Sequence, residues 1–141
     1  MIMVEAWWQH GAASILSTDG DVDAMIDSMV RSGADYSVAS LTCPDRPTLP
    51  SGLPDHELRI AALCTRGGIL YGGPADGADG TWYAAGTLAD DPPLEYFHLG
   101  KDEEWPADSL VPIDLVRAAV KDFMINRGDR PTGVEWRPWP G

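Results

Sequence analysis

The chain changes hydrophobic period several times, and each change marks an element. From Met1 to His10, Ile2, Val4, Ala6 and Trp8 alternate with Met3, Glu5, Trp7 and Gln9, the period of a strand. Trp7 and Trp8 therefore face opposite sides. One fills the core, and the other either packs beneath a neighbouring element, the default for a ring this large, or is presented at the surface. Gly11 to Ser17 predicts a short loop or strand end. The period then becomes helical: Val22, Met25, Ile26, Met29 and Val30 share one face, Thr18 or Ser17 caps the start, and Gly33 ends the run. Tyr36 to Leu41 alternates again. Thr42 to Pro54 carries Pro44, Pro47, Pro50, Pro54 and Gly52 and predicts a long surface loop. His56 to Thr65 is almost continuously apolar, as in a strand covered on both faces. Gly67-Gly68 predicts a tight turn, Ile69 to Tyr71 the return strand, and Gly72 to Gly80 a flexible acidic turn. Thr81 to Ala85 and Leu94 to Leu99 extend the meander, and Gly100 to Ser109 is expected as a loop.

The C-terminal stretch from Val111 to Trp136 organises the rest. Ile113, Val116, Ala119, Val120, Phe123 and Met124 lie on one helical face, with Pro112 and Asp114 in the first turn. Gly128 and Pro131 stop the helix, Val134 and Trp136 share one side of a closing strand, and the tail beyond Trp136 is expected to be loose. The expected fold class is α+β: a single domain over residues 1–141, with an antiparallel sheet of about six or seven strands and two helices, in the order β-α-β-meander-α-β.

Composition sharpens this picture mainly through charge. The 141 residues include 22 acidic and 10 basic side chains, a formal net charge of −12. That sign disfavours direct contact with nucleic acid or with anionic membranes, and favours either simple solubility or a basic partner. Glu5 follows directly on Met1-Ile2-Met3-Val4, which leaves no secretion-type apolar run, and no stretch reaches membrane-spanning length. The expected location is cytoplasmic, with Cys43 and Cys64 as unpaired, buried thiols.

No catalytic constellation emerges, and neither an enzyme nor a bound cofactor or metal is expected. His10, His56 and His98 fall in three separate elements, and Asp76 and Asp79 lack the further oxygen ligands a calcium loop needs. Asp23 and Asp27 on the first helix form either a solvated face or a contact. The most suggestive cluster is Asp102, Glu103 and Glu104 beside Trp105. Charge that steers and a ring that anchors make a partner-binding edge. The competing reading has Trp105 plugging the core with the acids merely solvated. Asp90 and Asp91 are a second candidate edge. A small-ligand domain, with a pocket lined by Trp7, Trp82 or Trp105, is the alternative function.

Several of these residues also carry a family resemblance. The run from Pro112 to Trp136, PIDLVRAAVKDFMINRGDRPTGVEW, with Glu104-Trp105-Pro106 and the glycines from Gly67 to Gly73, resembles the type-1 immunity proteins of bacterial polymorphic toxin systems. The resemblance implies an immunity protein that binds a cognate toxin and blocks it stoichiometrically. It also implies that the toxin is of a nucleic-acid-acting, deaminase type, for which an acidic protein could mimic the substrate. The shared motif is structural, so it implies a fold and identifies no contact residue.

Overall fold

The chain folds as an antiparallel sheet carrying two helices on one face, described here from a computed structural model that covers residues 3–88 and 91–139. The strands are β1 (Val4–Trp7), β2 (Ser14–Leu16), β3 (Val38–Thr42), β4 (Glu57–Leu63), β5 (Arg66–Ala75), β6 (Ala78–Ala84), β7 (Tyr96–His98), β8 (Lys101–Glu103), β9 (Val111–Pro112) and β10 (Trp136–Pro138). The helices are α1 (Asp19–Ser32) and α2 (Ile113–Ile125), with a 3-10 turn at Ala34–Tyr36. The main sheet runs β10-β6-β5-β4-β3-β1-β2, with β9 added to β5, while β7 and β8 form a separate hairpin.

The helices form where local chemistry starts and stops them. Thr18 and Asp21 exchange side-chain and backbone bonds in a capping box at the head of α1. Gly33, at φ 84°, closes that helix by donating its N–H to the carbonyls of Met29 and Val30. At the end of α2, Arg127 and Gly128 turn left-handed, and the Gly128 N–H reaches the Phe123 carbonyl at 2.9 Å. Both apolar stripes bury against one face of the sheet. Val22, Ile26 and Met29 of α1 and Val116, Val120 and Phe123 of α2 join Ala39, Leu41, Leu58, Ile60, Ile69 and Tyr71 in one core. Asp23 and Asp27 face α2 and are bonded there. Arg117 meets Asp23 at 3.0 Å and Asp27 at 2.5 Å, and Lys121 meets Asp23 at 3.1 Å. The Lys121 hydrogen bond is the chief reason that the Asp23 carboxyl titrates below its ordinary value.

Several local expectations need correcting. The β4–β5 turn is Cys64-Thr65, with Cys64 at φ 58° and exposed, and Gly67 and Gly68 lie inside β5. Glycine is needed there for close approach: a Cβ on Gly67 would stand 2.0 Å from the Ala61 carbonyl oxygen, and one on Gly68 would stand 2.8 Å from the Trp105 ring. The segment expected as a flexible turn from Gly72 to Gly80 is almost all ladder. The two strands close at Asp76-Gly77, both at positive φ, the turn chemistry of a tight hairpin. Ser14–Leu16 pairs with β1 as an edge strand. Tyr96–His98 leaves the main sheet to pair with Lys101–Glu103, part of the stretch expected as a loop. The tail is not loose through Trp139. It continues as β10 along β6, and Trp139 packs edge-on to Tyr83 at 6.2 Å. Val134 lies outside that strand. Of the tryptophan pair, Trp8 is buried and donates to Ser14 Oγ, whereas Trp7 is 41% exposed.

The proline-rich loop is tied down at its base. Arg46 bonds Asp55 at 3.3 Å and Asp129 beyond α2 at 2.8 Å. The Cys43 N–H donates to buried His56 Nε2 at 2.8 Å, and His56 Nδ1 meets Asp55 at 2.8 Å. Above this base the Leu49 N–H bonds the Leu53 carbonyl, so residues 49–53 project as a small closed turn.

Candidate functional site

The two faces of the sheet are treated unequally. The helices pack on the inner face, where they join the strand side chains in one core. On the outer face, register places Trp7, Ser40, Arg59, Leu70 and Tyr83 in one cross-strand row. Ile15 and Glu5 stand opposite each other beside Thr42. The β7–β8 hairpin and the chain leading to α2 cover only part of this face. Tyr96 and Trp105 pack on Val38 and Ala61, and Tyr83 donates its hydroxyl to Asp108 at 2.9 Å.

The acidic hairpin is built by local turn chemistry. Leu99 and Gly100, at φ 52° and 81°, make the two-residue turn that pairs Tyr96 with Glu103 and Phe97 with Asp102. Ser37 Oγ accepts from the Phe97 N–H at 3.1 Å and so docks the hairpin on the 3-10 turn. Strand alternation then separates the carboxylates. Asp102 and Glu104 are exposed and make no salt bridge among the described residues. Glu103 points inward and takes a 2.6 Å bond from Arg59, whose other nitrogen meets Glu57 at 3.1 Å. Glu57 also accepts from Ser40 Oγ. Trp105 is half-buried, 5.6 Å from Tyr96 in an edge-on arrangement, with its indole N–H buried and unpartnered. The structure thus brings Asp102, Glu103, Glu104 and Trp105 to one edge while giving Trp105 a packing role and Glu103 an internal partner. Asp91 is exposed and lies 3.6 Å from Arg66, and Asp90 lies outside the described residues.

The tryptophans do not line one pocket. Trp7 borders an open depression with Glu5, Ser40, Thr42, Leu53, Pro54 and Glu57. Trp105 borders another with Pro93, Leu94 and the hairpin acids. Trp82 stacks on Tyr71 and lies beneath the Arg130 guanidinium at 4.7 Å. The histidines are equally dispersed. His10 packs edge-on to Tyr36, His98 bonds the Val38 carbonyl, and His56 is buried. Among the described residues, no three His, Cys, Asp or Glu side chains stand close enough to hold a metal ion.

The family model described as immunity protein Imm1 matches residues 10–138. The chain belongs to the Imm1 immunity protein family. Its function is therefore that of an immunity protein, which neutralises a toxin, and the matched interval spans both helices, the β7–β8 hairpin and every strand but β1. The match begins after β1, so Glu5 and Trp7 stand outside the family interval while the hairpin and Leu53 stand within it. No curated protein matches the chain. Two features escaped the sequence reading. The Arg46–Asp55–His56 tie had a partial signal in the adjacent Asp55-His56 pair below a proline-rich loop. The uncovered outer face had one in Trp7, opposite in phase to the core.

Proposed function

We propose that the toxin neutralised by this Imm1 protein acts on nucleic acid, as a deaminase-type enzyme, and that neutralisation is stoichiometric occlusion without chemistry. The observation that carries the reading is the charge: 22 acidic against 10 basic residues, net −12. An enzyme acting on nucleic acid needs a groove lined with Lys and Arg to hold phosphates. A folded surface of carboxylates can enter that groove and exclude the substrate. Asp102 and Glu104, backed by Glu103 and Trp105, supply one acidic edge, and the exposed Asp91 belongs to a second candidate edge. The encounter is proposed to take place in the cytoplasm.

Salt tests the electrostatic part. The affinity for the cognate toxin domain is expected to fall by about tenfold or more as ionic strength rises from about 0.05 to about 0.5 M, chiefly through slower association. Calorimetry or surface-based kinetics would read this. An affinity indifferent to salt would contradict charge-led recognition.

A further inference from the structure

The exposed large apolar side chains are unevenly placed. Among the described residues they are Trp7, Ile15, Leu49, Leu53 and Ile125. Only Ile125 sits on a helix. Ile15 lies opposite Glu5 on the outer sheet face, and Trp7 lies opposite Ser40 on the same face. Leu53, 64% exposed, closes the depression that Trp7 and Glu5 line, and Leu49 is bonded to it through the backbone. Trp7 and Leu53 therefore meet at one uncovered depression, with Ile15 on the same sheet face beside Glu5. Surface apolar residues scattered singly are ordinary, but a contiguous set rimmed by polar groups marks an interaction site.

The polar groups of this patch carry one sign. The carboxylates Glu5 and Glu57 line it together with the neutral His56 ring, and the Arg59 guanidinium beside Glu57 is already shared between Glu57 and Glu103. Glu5 accepts from the Trp7 indole N–H at 2.9 Å, which holds the ring beside the carboxylate. The loop that brings Leu53 here is fixed by Arg46 and His56, so the patch is preformed and binding need not order it. The acidic hairpin adjoins it through the Glu57–Arg59–Glu103 chain. The arrangement has the anatomy of an interface, with an apolar centre and a charged rim.

We propose that the open half of the outer sheet face, centred on Trp7 and Leu53 with Glu5 and Glu57 between them, is the docking surface for the cognate toxin. The matching toxin surface carries an apolar residue flanked by Lys or Arg. This rests on the toxin-occlusion reading above and adds the anchor to it: Trp7 and Leu53 hold the complex together, while Asp102 and Glu104 steer its formation.

The test measures binding kinetics of the cognate toxin domain, made catalytically inactive, against four forms of this protein. These are the natural chain, Leu53→Asp, Trp7→Gln and the double variant Asp102→Asn, Glu104→Gln. Leu53→Asp and Trp7→Gln are each expected to weaken affinity about tenfold or more through faster dissociation. The double hairpin variant is expected to slow association and flatten the salt dependence. Leu53→Asp alters only an exposed loop tip, and circular dichroism melting checks that each variant folds. If the natural chain binds and both apolar variants bind within about threefold of it, the docking surface lies elsewhere and the proposal falls. If the natural chain itself fails to bind, toxin occlusion fails and takes this inference with it. A natural chain that is dimeric by light scattering and monomeric as Leu53→Asp would assign the patch to a second copy and overturn the proposal.

Discussion

Replacing Gly67 with alanine is expected to destabilise the fold by about 3 kcal/mol or more, at the upper end of what overpacking costs. The new methyl would stand 2.0 Å from the Ala61 carbonyl oxygen and 3.1 Å from Val116 Cγ2. The nearer atom is backbone, held in the β4–β5 ladder, so no side-chain rotation relieves the collision. Gly67 also pairs with Val111, which feeds directly into α2. Strain at this position therefore separates the helix from the strand it packs on. Thermal melting should fall by roughly 10 °C for a domain of this size. Gly72→Ala is the control. It lies in the same strand, its Cβ would meet only Thr81 Oγ1 at an ordinary 3.8 Å, and it should be neutral or slightly stabilising. Equal melting of the two variants would refute the close-approach explanation for Gly67.

His56→Ala is expected to cost roughly 3 kcal/mol, because it removes a bonded group and leaves a void. The Cys43 N–H and the Asp55 carboxylate each lose a partner, and Phe123 loses the ring 5.7 Å away. The base of the proline-rich loop should then open, read as faster amide exchange at Cys43. The tautomer follows from the contacts. Nε2 accepts from Cys43 and is unprotonated, so Nδ1–H donates to Asp55. The contact with Asp55 is thus a bond from a neutral ring.

Burial is the main cause that holds the His56 pKa below its ordinary 6.5, and the nearby Arg46 charge pushes the same way. The ring therefore binds its proton more readily in the unfolded chain. Its contribution to stability is intact above pH 6.5 and is lost as pH falls from there through the folded value. Urea midpoints at successive pH values should decline across that window in the natural chain and decline less in His56→Gln. Asp55 belongs to a lower window. Burial opposes its ionisation, but the bonds from His56 and Arg46 outweigh that and hold its pKa below 3.8, so its contribution is lost only in stronger acid.

What the sequence made legible was what short-range chemistry decides. The cap at Thr18, expected there or at Ser17, the stop at Gly33 and the left-handed exit at Gly128 each act within one helical turn. Alternation assigned Trp7 and Trp8 to opposite faces, but it could not say which face would be covered. That depends on where the chain between β6 and α2 comes to rest, and it rests short of β1. The glycine pair at Gly67-Gly68 misled because a turn and a close approach both call for glycine. The reason for these two lies in Ala61 and Trp105, distant in sequence or on another element. The acidic run 102–104 was visible, but the fate of its middle member was not. Arg59, 44 residues away, takes Glu103 inward and leaves its neighbours exposed. Asp23 and Asp27 proved ion-paired rather than merely solvated for a similar reason, since their partners lie on the other helix. The charge total was legible as a count, whereas the apolar patch came into view only with the sheet assembled.

The most direct measurement is a titration of the active toxin domain with the purified natural chain. Toxin turnover is followed on a nucleic-acid substrate, the class proposed above, at a toxin concentration well above the dissociation constant. Occlusion predicts activity that falls linearly and reaches zero at one equivalent. Inactivation continuing to completion at a small fraction of an equivalent would mean that the chain acts catalytically, and undiminished turnover at excess would mean that it does not bind this toxin. Either result would contradict the account.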